Sequence, residues 1–421
     1  MNARITTSAT PHPRLLLVLG LLSALTPFAI DMYLPSIPSI ARDLDADIAL
    51  AQLSVTVYLG VFAAAQLLLG PLSDVFGRRR IIAAGLMLFA GAAIGCAFAP
   101  NMPSLLVARV LQAIGGAAVA VSIPALVRDL FERNDYARVM GLVMLVMAVA
   151  PLLAPSLGGL IILYLSWRWV FAALLAITLL AALAFFHVVP ETLPSERRHR
   201  LEPLAILSNY GLLLRHWPAL GYLLTGMASF GGIMIFVVTS PYVYIELLGV
   251  PEVWFGPLFG VNILAVMLVS FLNSRLVPRY GAERLLRIGL SAQCAFALWL
   301  LVLAWLPQPS LLAIVFAVCA YFGMAGLVLG NALAGFMAYF SHMAGTASAF
   351  SGAARFGFGA LAGSAVSLLH NDSALPLLLG IACCGLLAVT CYVLLACTTE
   401  AASTSKLAVT KPLDGRSVPE R

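Results

Sequence analysis

Gly70-Pro71-Leu72-Ser73-Asp74-Val75-Phe76-Gly77-Arg78-Arg79-Arg80 is a short charged stretch between two long apolar runs. Gly70 and Gly77 permit a tight turn and close backbone approach. Asp74 and Arg78 suit pairing with each other or with a neighbouring helix end, and Asp129 is the natural further partner. The plainer alternative is a basic loop that anchors two membrane spans and carries an incidental aspartate.

The composition around this stretch favours a membrane. Of 421 residues, 62% are hydrophobic and 10% charged, with mean hydropathy +1.00, whereas a soluble domain carries about 25% charged residues. The net charge of +6 does not point to nucleic acid, because the basic residues fall in short loops between apolar runs. Neither Lys406 nor Lys411 follows a glycine, so no phosphate-cradling loop is present. No His-Glu-x-x-His or Gly-x-Ser-x-Gly occurs, and the six histidines lack metal-ligand spacing. Neither catalytic residues nor a metal or organic cofactor are expected. The seven cysteines lie in or beside apolar runs and are expected as free thiols.

A helix needs about 20 apolar residues to span a bilayer. Twelve candidates satisfy this: 15–38, 48–69, 81–99, 103–127, 137–164, 168–189, 217–245, 253–274, 285–306, 310–337, 344–369 and 374–397. With the N-terminus inside, 20 of the 24 Lys and Arg residues fall in inner loops and tails, and only Arg42 and Arg168 fall outside. This bias predicts cytoplasmic termini. The division expected is an N-terminal six-helix half (1–190), a cytoplasmic linker loop (191–216), a C-terminal six-helix half (217–399) and a disordered tail (400–421). Tyr280-Gly281-Ala282-Glu283-Arg284 repeats the end of the opening stretch at an offset of 204 residues, as expected of duplicated halves with a site between them.

Several residues break the apolar pattern. Asp31 is the one acid in its run, and an ionised aspartate at the bilayer centre costs about 3 kcal/mol, so a function is its default reading. Arg109 lies well inside its span, cannot deprotonate, and must find an acid or several carbonyls. Arg355 is a second buried cation, with no acid in its own span. Pro151, Pro155, Gly158 and Gly159 share one helix, where prolines kink and the glycines are expected to allow close packing against the other half. Tyr33, Tyr58, Gln112, Phe230, Phe236, Asn262, Asn331 and Arg355 are candidates to line a substrate cavity, with helix packing as the alternative for each. Glu246, at the outer end of its span, is expected to face solvent.

The opening stretch resembles the signature loop between helices two and three of the major facilitator superfamily. Leu105-x-x-x-Arg109-x-x-Gln112-x-x-Gly115 resembles the family's helix-four motif, and Ala150–Gly159 its antiporter motif, with Ala154-Pro155 in place of Gly-Pro. Ile30–Pro35, Val127–Asp129, Pro190–Leu193 and His342–Ser348 extend the likeness to the Bcr/CflA, bicyclomycin-resistance-like, drug:proton group. The resemblance implies an all-α integral membrane protein of the major facilitator superfamily fold, with 12 transmembrane helices in two six-helix halves. It implies proton-coupled export of small amphipathic antibiotics such as bicyclomycin- or chloramphenicol-like compounds, by alternating access across a bacterial inner membrane. Asp31 and Arg109 would couple protons, and Gly70, Asp74, Gly77, Arg78 and Asp129 would latch the halves. The chain would act as a monomer on a small molecule and protons in a lipid bilayer, driven by the proton-motive force with no cofactor. An exporter of an endogenous metabolite, such as an amino acid like cysteine or a sugar, is the competing reading.

Overall fold

A computed structural model of the protein describes residues 13–131, 133–192, 203–306, 309–369 and 373–397. The tail expected at 400–421 and the basic run at 197–200 lie outside these residues.

The described chain is built from helices. The first group is α1 (Pro13–Asp31), the short α2 (Ile37–Asp43), α3 (Ile48–Phe76), α4 (Arg78–Ala97), α5 (Met102–Leu130), α6 (Arg133–Tyr164) and α7 (Arg168–Val188). A connecting helix, α8 (Pro203–Arg215), leads to α9 (Trp217–Pro241), α10 (Glu252–Tyr280), α11 (Ala282–Ala304), α12 (Leu311–Ala338), α13 (Ala344–Leu368) and α14 (Leu375–Cys391). Among the described residues, 11 helical segments are long and apolar enough to cross a membrane. The twelfth expected span is present as α13, 25 residues long. It differs in carrying Arg355 among glycines and serines. The seven cysteines are free.

Local chemistry sets the helix ends. Asp47 caps α3 by accepting from the Ala49 N–H at 2.9 Å, and Asn101 and Ser104 form a reciprocal capping box on α5. The first span was expected over 15–38, but α1 stops at Asp31, because Pro35 has no N–H to offer the Asp31 carbonyl. A 3-10 turn at Leu34–Ser36 and α2 follow. The opening stretch also differs from its expectation. Helix α3 runs through Gly70 and Pro71 to Phe76, and the chain turns at Gly77 alone, with φ +97°. Gly281, 204 residues on, separates α10 from α11 with φ +78°. Both values lie where residues with a Cβ are strained, so the two halves share one glycine-made corner.

The linker was expected as a polar loop, yet it contains α8. Its Leu213 is fully buried. Its Tyr210 hydroxyl donates to the Leu67 carbonyl at 3.3 Å. Leu67 is the carbonyl that Pro71, four residues on, cannot serve. The Tyr210 ring also meets Phe350 of α13 at 5.4 Å, so α8 touches both halves.

Within the first half α4 packs on α5 and α7, α3 on α5, and α1 on α6; within the second, α11 packs on α12, and α9 on α13 and α14. The halves meet along α3 with α13 and α6 with α10. Their closest approaches lie toward the end carrying Arg42. There Ser364 donates to the Thr56 hydroxyl at 2.8 Å and a Cβ on Gly256 would stand 2.4 Å from Ser156 Cα, while half-way along the helices Phe62 meets Phe356 edge-on at 5.2 Å.

Candidate functional site

Asp31 is the last residue of α1 and is 6% exposed. Its carboxyl makes no hydrogen bond or ion pair among the described residues. Arg109 does not pair with it. The Arg109 guanidinium is fully buried and instead donates to the Ala29 carbonyl at 3.0 Å, the Ser54 carbonyl at 3.5 Å and Gln112 Oε1 at 2.7 Å. It also lies over the rings of Tyr58 at 4.4 Å and Tyr33 at 4.6 Å. Of the two partners that its burial demanded, the protein supplies carbonyls rather than an acid. Ring faces add up to about 2 kcal/mol each for a desolvated cation.

The Ala29 carbonyl belongs to the last turn of α1, where carbonyls have no helical partner. Arg109 therefore caps the helix that ends in Asp31, and a cation suits that negative end of the dipole. Tyr33 adds a second tie across α3, its hydroxyl 2.5 Å from the Ser54 hydroxyl. Arg109 Nη2, Gln112 Nε2, the Tyr58 hydroxyl and Gln52 Oε1 remain buried without partners. This cluster of unpaired groups is unusual, since buried polar groups are normally bonded.

Replacing Arg109 by Lys is expected to lower stability by about 2 kcal/mol, the scale of a charge-assisted hydrogen bond lost from a buried site. A compact ammonium cannot span two carbonyls, an amide and two ring faces at once. The midpoint of thermal unfolding in detergent measures this, and an unchanged midpoint would contradict it.

The expected latch residues come together. Arg78, 4% exposed, pairs with Asp74 at 2.5 Å and with Asp129 at 3.3 Å, and donates to Ser73 at 3.1 Å. Two further members escaped the sequence reading of roles. Thr192 donates to Asp129 at 3.3 Å, and Glu191 accepts from the Arg79 backbone N–H at 3.4 Å. The charged partners Asp74 and Asp129 belong to the first half, Glu191 and Thr192 to the start of the linker, and Asp74 remains 46% exposed. A Cβ on Gly70, inside α3, would meet Val121 of α5 at 3.4 Å.

On α6, Gly158 and Gly159 serve different contacts. A Cβ on Gly158 would lie 1.8 Å from the Met32 carbonyl oxygen, inside its own half, and one on Gly159 would lie 2.9 Å from the Glu252 carbonyl oxygen, across the halves. Only the second matches the expectation of inter-half packing for both. Pro151 and Pro155 sit within the same helix.

At the Arg42 end the structure shows a pairing that the sequence left hidden. Arg42 donates to Glu246 at 2.5 Å and lies 3.7 Å from Glu252, and Ser39 donates to Glu252 at 3.4 Å. Glu246 is exposed, as expected, and its ion pair also joins the two halves. The charges stand in short connecting segments with no spacing that marks them as partners.

The candidate cavity residues divide. Tyr33, Tyr58 and Gln112 surround Arg109. Phe230 meets Phe356 edge-on at 5.2 Å, beside the inter-half contact. Phe236 is fully buried among Tyr244, Phe259 and Phe322, away from that group. Asn262 is buried on α10, its amide N–H 3.4 Å from the Leu258 carbonyl. Asn331 donates to Asn273 at 2.9 Å. Among the described residues Arg355 bonds only the Ser351 carbonyl, at 3.4 Å.

The sequence model of the Major Facilitator Superfamily matches residues 19–367. A bicyclomycin resistance protein homolog of Haemophilus influenzae is 37% identical, over 90% of this chain and 94% of its own. A chloramphenicol resistance protein of Pseudomonas aeruginosa is 30% identical, over 79% of this chain and 78% of its own. The crystal structure of a D-xylose–proton symporter shares the fold, with TM-score 0.69, 17% identity and coverage of 90% of this chain and 97% of that one. The chain, with its apolar helices in two packed groups, belongs to the major facilitator superfamily of transporters, in the bicyclomycin-resistance-like group.

Proposed function

We propose that the protein is a proton-coupled drug exporter that works by alternating access in a bacterial cytoplasmic membrane, as a monomer with both termini inside. The observation that carries the reading is Asp31, a buried carboxyl with no hydrogen bond or ion pair among the described residues, at the end of a helix capped by a buried arginine. A group held in that way gains or loses a proton without breaking a structural bond. The names of its relatives support a drug as the cargo.

The basic bias places the Arg78 end in the cytoplasm. In that orientation the Arg42 end, where ion pairs join the halves, faces out and the Arg78 end faces in. The outer pairing of Arg42 with Glu246 is 61% and 36% exposed and is worth about 0–1 kcal/mol, weak enough to break in every cycle. The Arg78 cluster, built from the first half and the start of the linker, is the latch of this reading.

Expression in an efflux-deficient bacterial host tests this reading. Accumulation of radiolabelled chloramphenicol should fall relative to a vector control and return to the control level with an uncoupler. Accumulation insensitive to the uncoupler would indicate a facilitator. No change for chloramphenicol or bicyclomycin would move the cargo to an endogenous metabolite.

A further inference from the structure

Arg355 is the twelfth of the 25 residues of α13, half-way along a membrane-length helix. Its one hydrogen bond among the described residues runs from Nε to the Ser351 carbonyl one turn back, at 3.4 Å. The two terminal nitrogens of its guanidinium make no such bond, and no ion pair among the described residues includes it. A guanidinium cannot shed its charge by losing a proton. Half-buried in the middle of the fold, it calls for a counter-charge.

Ser351 and Arg355, four residues apart, lie on one face of α13, and both line a recess between α9, α12 and α13. The Ser351 side chain is 1% exposed and its hydroxyl has no partner. The rest of the wall is mostly apolar, with Leu223, Leu329, Ala332 and Phe336 among its residues, and no acid lines it. The Tyr222 hydroxyl, also at the wall, donates to Glu283 at 2.8 Å, but that carboxylate is already held by Arg287 at 3.4 Å and by Tyr392. Size narrows the occupant further. The recess leaves about 10 Å³ for the centre of a water-sized particle, which is room for about one of them. A carboxylate, sulfate or phosphate is too large. A water would satisfy the donors and leave the charge uncompensated. A halide ion is only slightly larger than a water, and it does both.

We propose that Arg355 and Ser351 form a binding site for a single monatomic anion, with chloride as the abundant one. The ion accepts from a terminal N–H of Arg355 and from the Ser351 hydroxyl, and the apolar walls strengthen its attraction to the guanidinium. The site lies within the second half, whereas Asp31 lies in the first, so it stands whatever the cargo of the transporter is.

Equilibrium binding of radiolabelled chloride to the purified full-length chain in detergent tests the site, with ionic strength held constant by sodium gluconate. Binding should saturate at one ion per chain. Bromide should compete, and gluconate and sulfate should not. Arg355→Gln should abolish saturable binding, Arg355→Lys should keep a weakened site, and Ser351→Ala should lower the affinity severalfold. A ligand that binds only the folded chain stabilises it. Exchanging gluconate for chloride should therefore raise the midpoint of thermal unfolding of the unaltered protein and leave that of Arg355→Gln unmoved. The melting transition of the variant also shows that it is folded. No saturable binding would mean that water alone fills the recess. Binding that survives Arg355→Gln would place the ion elsewhere, and sulfate competing as well as bromide would show a larger, open anion site. Each of these three results would overturn the proposal.

Discussion

Asp31→Asn is expected to abolish gradient-driven drug accumulation in everted membrane vesicles while leaving downhill drug exchange in place. The amide has the size of the carboxyl, and the carboxyl has no hydrogen bond or ion pair to lose among the described residues, so the fold should tolerate the change. What disappears is the only acid of its run that can carry a proton. One charge crossing about 100 mV supplies about 2.3 kcal/mol, which corresponds to roughly a fiftyfold concentration ratio for a neutral drug. That ratio should collapse to about one in the variant. Radiolabelled chloramphenicol uptake, started by adding an energy source, measures both quantities. Normal uptake by Asp31→Asn vesicles would sink the assignment of Asp31, because nothing else in the chain would explain it through this residue.

Gly158→Ala and Gly141→Ala should move stability in opposite directions, although both alter a glycine of α6. In an open helical position alanine gains about 0.5–1 kcal/mol over glycine. Gly141 has nothing within 4 Å of a built Cβ, so its variant should melt slightly higher. At Gly158 the added methyl would lie 1.8 Å from the Met32 carbonyl oxygen, 2.9 Å from the Met32 carbonyl carbon and 3.2 Å from Pro35 Cγ. The first two are backbone atoms, which cannot swing aside. Either α6 or the end of α1 must move, and overpacking of this kind costs about 1–3 kcal/mol or more. Met32 follows Asp31, so the displacement also shifts the carboxyl, and transport should fall with stability. Thermal unfolding of both variants in detergent gives the signs directly. A Gly158→Ala protein as stable as Gly141→Ala would show that α1 and α6 do not approach in this way.

The parts legible in the sequence share one property: each follows from a local cost. A run of about 20 apolar residues has few uses outside a membrane, and this located the twelve long helices. Glycine at the two corners follows from the positive φ that they adopt. Arg78 and Asp129 were paired correctly because Asp129 stands at the end of a neighbouring helix. The junction of Arg42 with Glu246 and Glu252 was not legible, since charged residues in short connections have no periodicity that names their partners. Helix α8 was hidden by its shortness and polar flanks, although its tyrosine serves the carbonyl left open by Pro71. Phe236 and Phe230 look alike in sequence, yet one is enclosed by rings of its own half and the other touches the junction.

By itself, the sequence determined that the chain is a helical membrane transporter, that Asp31 and Arg109 are costly exceptions within its spans, and which charges surround the Gly77 corner. Each of these is a matter of transfer free energy or backbone geometry, which residue type and order report. Only the tertiary structure decided that Arg109 caps the α1 carbonyls instead of pairing with Asp31. It also decided that Gly158 makes room for the end of α1 while Gly159 faces the other half, and that Arg355 pairs with no acid among the described residues. These depend on which helix faces which, and a helix without a marked polar stripe does not encode its rotation in its own residues.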